Sequence, residues 1–186
     1  AHLPMRVLYL ISDGLFVMVY HLAGYRKTVV NENLRNAFPE KSDPERQEIA
    51  KKFYRHLCDF VVEVLAIIKF RPEDIKKRCV YKNPEILHEY AKSGKNLAVV
   101  TGHYGNWEWT NGFNLWAPDY VSYAIYLPLK DKFFDKLVRG QREKFGSKMV
   151  AKRNSVRELL KSHQMGIKST TLYLGDQTPM KSEIHY

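Results

Sequence analysis

Leu97-Ala98-Val99-Val100-Thr101-Gly102-His103-Tyr104-Gly105-Asn106-Trp107-Glu108-Trp109 decides how the rest of the chain is read. The apolar, β-branched run Leu97–Thr101 has the length of a buried strand, and Gly102 and Gly105 mark a sharp exit from it. In an open parallel sheet, ligands and reactive side chains gather at the carboxyl ends of strands. His103 and Glu108 stand at such an end with four residues between them. On a regular helix, residues five apart point about 140° apart, because a turn takes 3.6 residues. The pair therefore converges only if His103 lies in the turn and Glu108 in the first turn of a following helix. Gly105 eases that geometry.

Downstream of Arg71-Pro72-Glu73-Asp74, read as a break, short strands alternate with helices, which is the pattern of an α/β sheet. Cys79–Lys82 reads as a weak strand, and Asn83-Pro84-Glu85 opens a helix running to Gly94. Leu97–Thr101 is expected as the central strand, followed by a helix over Asn106–Ala117 and strands at Val121–Tyr126, Lys148–Val150 and Thr170–Leu174. Helices are expected over Asp131–Phe145 and Asn154–His163. The expected fold is α/β, a mostly parallel central sheet flanked by helices over residues 71–186, preceded by an N-terminal helical, membrane-associating region over residues 1–70. Parallel strands would bring His103, Leu127-Pro128 and Asp176-Gln177 to one edge.

Upstream, Leu3–Leu22 is the most hydrophobic stretch, nearly the roughly 20 residues needed to span a bilayer, but interrupted by Arg6 and Asp13. It reads as a monotopic or shallow membrane helix, because Arg26, Lys27 and Arg35 follow and can meet lipid headgroups; the alternative is a helix buried on the domain. A second helix, Gly24–Pro39, carries Val30, Leu34 and Phe38 on one stripe. Ser42-Asp43-Pro44-Glu45 is a capping-box pattern opening a long amphipathic helix, with Ile49, Phe53, Leu57, Phe60, Val64 and Ile68 as its core stripe. Glu63 falls among these apolar positions and reads as a helix-edge carboxylate, with a buried partner for a basic group as the alternative.

A formal charge of +10 in 186 residues calls for an anionic partner, whether a phospholipid surface, an acidic protein or nucleic acid. Nucleic acid is set aside, since the chain has no zinc-finger spacing, RNP-like motif or recognition-helix signature. Cys58 and Cys79 form no CxxC and read as reduced core residues, consistent with a cytoplasm-facing environment. No metal is expected at His103 and Glu108, because no third ligand stands near them.

Thr101-Gly102-His103-Tyr104-Gly105-Asn106-Trp107-Glu108 resembles the HX4D/E block of the glycerolipid acyltransferase superfamily, and more narrowly that of the lipid A late acyltransferases, the lauroyl and myristoyl transferases of Gram-negative bacteria. Asn33-Leu34-Arg35 with Phe38-Pro39, Tyr126-Leu127-Pro128-Leu129-Lys130, the arginines before Phe145-Gly146, and Gly175-Asp176-Gln177 resemble the other blocks of that family, so the likeness runs along almost the whole chain. The resemblance implies a glycerolipid-acyltransferase-like fold. It also implies transfer of a fatty acyl chain from an acyl carrier protein or CoA thioester to a hydroxyl of an anionic lipid A precursor. The place implied is the cytoplasmic face of the inner membrane, and no cofactor is called for. His103 becomes the general base and Glu108 the group that orients it, with the acceptor's own hydroxyl as nucleophile. Tyr104, Asn106, Asp176 and Gln177 become substrate-binding residues. So does one of Arg139 and Arg142, although a helix running straight away from the sheet edge carries both out of reach. The family continues past the position of Tyr186, so the chain is expected to be truncated at its carboxyl end. Two other readings stand beside this one: a lysophospholipid or aminolipid acyltransferase, and, from a different class, a non-catalytic basic lipid-binding module.

Overall fold

A computed structural model describes residues 3–176, so Gln177 lies outside the described residues. The chain divides into two compact units, Ala1–Lys69 and Phe70–Tyr186.

The first unit is helical. Helix α1 (Met5–Phe16) runs on through a π-helical turn, Val17–Leu22, and α2 (Lys27–Ala37) and α3 (Asp43–Ile67) follow. Among the described residues, Met5–Leu22 is long and apolar enough to cross a membrane by length and composition. One face of it packs on α3, with Phe16 and Tyr20 against Tyr54 and Cys58. Its polar groups turn inward too: Ser12 donates to Asp59 and Tyr9 to Glu63, each at 2.6 Å. Leu10, Val17, Met18 and Leu22 stay exposed. The start of α3 is as expected, with the Ser42 amide and hydroxyl both donating to Glu45. Its buried stripe is not. Ala50, Tyr54, Cys58, Val62 and Ala66 are buried, one register removed from the expected stripe, while Phe53 and Ile68 are exposed. Ala50, Cys58 and Ala66 alternate along it with the larger Tyr54 and Val62, and helix–helix spacing is set by the side chains at the contact.

In the second unit, Pro72–Arg78 forms a helix, α4, where a simple break was expected. The Arg71 amide donates to Asp74 at 2.9 Å, and acidic residues open the helix while Lys76, Lys77 and Arg78 close it, both favourable to the helix dipole. The expected strand at Cys79–Lys82 does not form. The Cys79 amide is still bonded to Ile75 at the end of α4, and Asn83 then turns the chain at a φ of 57° into α5 (Glu85–Lys92). Both cysteines are free thiols; Cys58 is buried and Cys79 only partly so.

The sheet is entirely parallel, with β1 (Leu97–Thr101), β2 (Val121–Tyr126), β3 (Lys148–Ala151) and β4 (Ser169–Leu174) in the order β1-β4-β2-β3. β1, expected at the centre, is an edge strand of the described sheet, because β4 returns between β1 and β2. Leu97 and Val99 pack with Phe113, Ala117 and Tyr120, while Ala98 and Val100 on the other face are exposed. Two further helices, α6 (Lys132–Glu143) and α7 (Ser155–Gln164), lie among the described residues of this unit.

Trp107–Leu115, expected as an ordinary helix, is a 3₁₀ helix of nine residues. Its own side chains account for that. Thr110 Oγ1 donates to the Trp107 carbonyl and Asn111 Nδ2 to the Glu108 carbonyl, each at 2.6 Å and three residues back, where they compete with the backbone bonds of an α-helix. A 3₁₀ helix has three residues per turn, so positions three apart eclipse into straight ridges. Asn114 is tied to the sheet: Ser122 Oγ donates to its Oδ1 at 3.0 Å. Having given its proton there, Ser122 accepts from Thr170, 2.8 Å away in the buried centre of the sheet.

Gly112 seats this helix against α4. A Cβ there would lie 2.3 Å from Ile75 Cγ2, and Ile75 is fully buried. Gly112→Ala should therefore lower unfolding stability in urea by about 1–3 kcal/mol through overpacking. Gly140→Ala, on α6 with nothing near the added methyl, should stabilise by about 1 kcal/mol through helix propensity alone. Equal effects of the two substitutions would contradict this packing.

Candidate active site

The β1–β4 pairing places Thr101 opposite Leu174. Carried two residues beyond both strands, the same register sets His103 beside Asp176. The two groups are in contact: His103 Nδ1 is 2.7 Å from Asp176 Oδ1, and the His103 backbone amide donates to Oδ2, also at 2.7 Å. Gly102 makes room, since a Cβ there would stand 3.0 Å from the same carboxylate oxygen. Hydrogen bonds from the His103 imidazole, and secondly from its amide, hold the Asp176 carboxyl below its ordinary 3.8. An ionised carboxylate only accepts, so Nδ1 carries the proton, and in the neutral imidazole Nε2 holds the lone pair. The Trp107 ring meets the imidazole edge-on, with centroids 4.8 Å apart.

Glu108 is arranged differently from the sequence expectation. It lies on the first turn of the helix after His103, as required, but its carboxylate does not bond the imidazole. Asn111 Nδ2 donates to Oε2 at 2.9 Å, Arg142 Nε to Oε2 at 3.1 Å, and Arg142 Nη2 to Oε1. This is the two-pronged guanidinium–carboxylate geometry that fixes orientation as well as charge. Glu108 is only 8% exposed, so its charge depends on these partners.

Of the two arginines, Arg142 is the one that comes to Glu108. α6 packs on β3 and on the 3₁₀ helix, and Arg142 lies in its last turn. Arg139 pairs with Glu143 on its own helix at 3.1 Å. Arg142, Glu108, Trp107 and Thr110 line a cavity of about 240 Å³ whose other walls include Ile125, Met149 and Leu172. Trp107 thus touches both the imidazole and the cavity. Tyr104 is 93% exposed, and Asn106 immediately precedes the 3₁₀ helix, its carbonyl accepting from the Trp109 amide at 3.1 Å. Among the described residues, no group of three or more His, Cys, Asp and Glu side chains is placed to hold a metal ion.

The depressed Asp176 value carries a sign. The contact stabilises the folded chain fully above the ordinary carboxyl value of 3.8, and that contribution is lost as pH falls through the lower folded value. Thermal unfolding of Asp176→Asn should therefore fall below that of the parent at pH 5–6 and converge with it in more acid solution. A gap that widens on acidification would contradict the assignment.

A family model described as bacterial lipid A biosynthesis acyltransferase matches residues 1–185. The chain is 22% identical over 167 residues to a lipid A biosynthesis acyltransferase of Haemophilus influenzae, a match covering 89% of this chain and 52% of that protein. It is 26% identical over 151 residues to lipid A biosynthesis acyltransferase 2 of Shigella flexneri, covering 81% of this chain and 48% of that protein. The chain thus spans about half the length of the curated relatives it matches. With the family match running over nearly every residue, the chain belongs to the bacterial lipid A biosynthesis acyltransferase family.

Proposed function

We propose that the chain carries the reaction centre of an O-acyltransferase, which moves a fatty acyl chain from an acyl carrier protein or CoA thioester to a hydroxyl of a lipid A precursor. The observation that carries this reading is the His103–Asp176 contact at the carboxyl end of β1. An imidazole held by Nδ1 offers Nε2 to the acceptor hydroxyl. As the hydroxyl oxygen attacks the thioester carbonyl carbon, Nε2 takes its proton and Asp176 stabilises the imidazolium. Collapse of the tetrahedral intermediate breaks the carbon–sulfur bond, and the departing thiolate recovers the proton from Nε2. No acyl-enzyme forms and no cofactor is used.

Glu108 then serves as a positioning residue for Arg142 in place of an orienter for His103. Arg142 has donors left over after its two bonds to Glu108, and it lines the cavity. Those donors suit the thioester oxygen or a substrate phosphate. The chain's charge of +10 suits an acidic carrier protein and a phosphorylated lipid alike. The exposed apolar face of Met5–Leu22 supports attachment to the inner membrane from the cytoplasmic side.

His103→Ala should reduce acyl transfer by about 10²–10⁴-fold while the protein remains folded. Asp176→Asn should lower turnover as well, and the His103/Asp176 double variant should be scarcely worse than His103→Ala, because the two act as a unit. Glu108→Gln should act with Arg142→Lys in the same way. The reverse pattern, in which Glu108 is non-additive with His103 and Asp176→Asn is harmless, would restore Glu108 as the orienting group. Full activity in folded His103→Ala would end the acyl-transfer mechanism.

Membrane attachment is tested without disturbing the helix packing. Leu10→Glu with Leu22→Glu alters only exposed positions of Met5–Leu22, and should move the protein from the membrane pellet to the supernatant. Unchanged sedimentation in the pellet counts against attachment through this helix.

A further inference from the structure

The turn from β2 into α6 presents apolar side chains to solvent: Leu127, Leu129, Phe133 and Phe134 are 72%, 48%, 73% and 57% exposed. This is not a slack loop. Asp131 accepts from the Phe133 and Phe134 amides at 2.9 and 3.0 Å, and Asp135 accepts from the Leu129 amide at 2.8 Å. Both carboxylates are turned onto the segment's own backbone. The charges left on its outside are Lys130, Lys132 and Lys136, all exposed. At about 100° per residue, Phe133, Phe134 and Leu137 share one face of α6, with Lys132 and Lys136 along one flank. The two phenyl rings pack edge-to-face with centroids 5.6 Å apart.

An apolar tip with a basic rim on a fixed backbone has the make-up of an interfacial membrane element: ring and leucyl groups for the headgroup–acyl boundary, ammonium groups for anionic phosphates. Its place fits as well. β2 ends at the same sheet edge as β1, with β4 between them, so at about 4.8 Å per strand the turn begins roughly 10 Å from the strand that carries His103. We propose that residues 127–136 form a membrane-insertion elbow. It sinks Leu127, Leu129, Phe133 and Phe134 into an anionic bilayer beside the reaction centre, while Lys130, Lys132 and Lys136 engage lipid phosphates. The choice of a lipid surface rests on the lipid-acceptor reading above.

The test uses the full chain carrying Phe133→Trp, mixed with phosphatidylethanolamine–phosphatidylglycerol vesicles whose acyl chains are brominated. Subtracting the parent's fluorescence isolates the introduced indole from Trp107, Trp109 and Trp116. The indole should be quenched by iodide in buffer. In vesicles it should be shielded from iodide and quenched by bromine. Lys130→Glu, Lys132→Glu and Lys136→Glu should each weaken vesicle partition by about fivefold or more, and only when phosphatidylglycerol is present. Leu127→Trp gives an independent reporter should Phe133→Trp fail to fold. Three results overturn the proposal. An indole shielded from iodide before vesicles are added is covered by another part of the protein. One that ignores bromine while the protein pellets with the vesicles leaves attachment to other residues. One that responds to acyl carrier protein and not to vesicles marks a protein-docking surface. The quench needs no turnover, so an inactive protein with a quenched indole counts against acyl transfer and leaves the elbow standing.

Discussion

The site depends on the parallel register between β1 and β4. Two strands running the same way, paired residue for residue, bring the first polar groups beyond their ends to the same height. His103 and Asp176 are 73 residues apart in the chain, yet their meeting needs no long loop or special side-chain reach. A slip of one residue would reverse the faces of β1, burying Val100 in place of Val99, and would also part the imidazole from its carboxylate. The hydrophobic face that stabilises the sheet is thus the same device that aligns His103 with Asp176.

The second carboxylate has a different environment and a different consequence. Glu108 is nearly buried and held by Arg142 and Asn111, whereas Asp176 is about half exposed and held by one residue through two bonds. Removing one partner of a buried, hydrogen-bonded ion pair leaves a charge without water, at a cost of about 3–5 kcal/mol. The Glu108–Arg142 pair therefore bears on how α6 is held as well as on the cavity it lines, and its loss should register in folding more strongly than loss of the half-exposed Asp176 contact.

Much of this was legible in the sequence. Of the five strands read from the alternation of short apolar runs with helical segments, four form, all parallel, and the TGHYGNWE block located the end of β1. The pairing of His103 with Glu108 was read from proximity along the chain. Glu108 stands five residues from His103, but the imidazole's partner comes from the next strand across, and strand order is not written in periodicity. The one available signal was that Gly102-His103 and Gly175-Asp176 each follow a strand directly. The shifted stripe on α3 has a similar origin: hydrophobic size marked Phe53 and Ile68 as core, while the face that packs on the first helix carries Tyr54 and Cys58, one position along. At Pro72–Arg78 the proline was read as punctuation, although proline at a helix start is compatible with the helix that forms.

The 3₁₀ helix leaves a further mark, on which substitutions the chain can accept. With three residues per turn, Glu108, Asn111 and Asn114 form one straight polar ridge, and Trp109, Gly112 and Leu115 form a second that meets Ile75 and Arg78 on α4. An α-helix would rotate each successive member of those ridges by about 60°. Tolerance along Trp107–Leu115 should accordingly recur every third position, with the polar ridge accepting only amides and carboxylates and the second ridge limited by volume at Gly112. Natural variation in such a segment would look patternless to any profile tuned to the α-helical period, while obeying a strict three-residue rule.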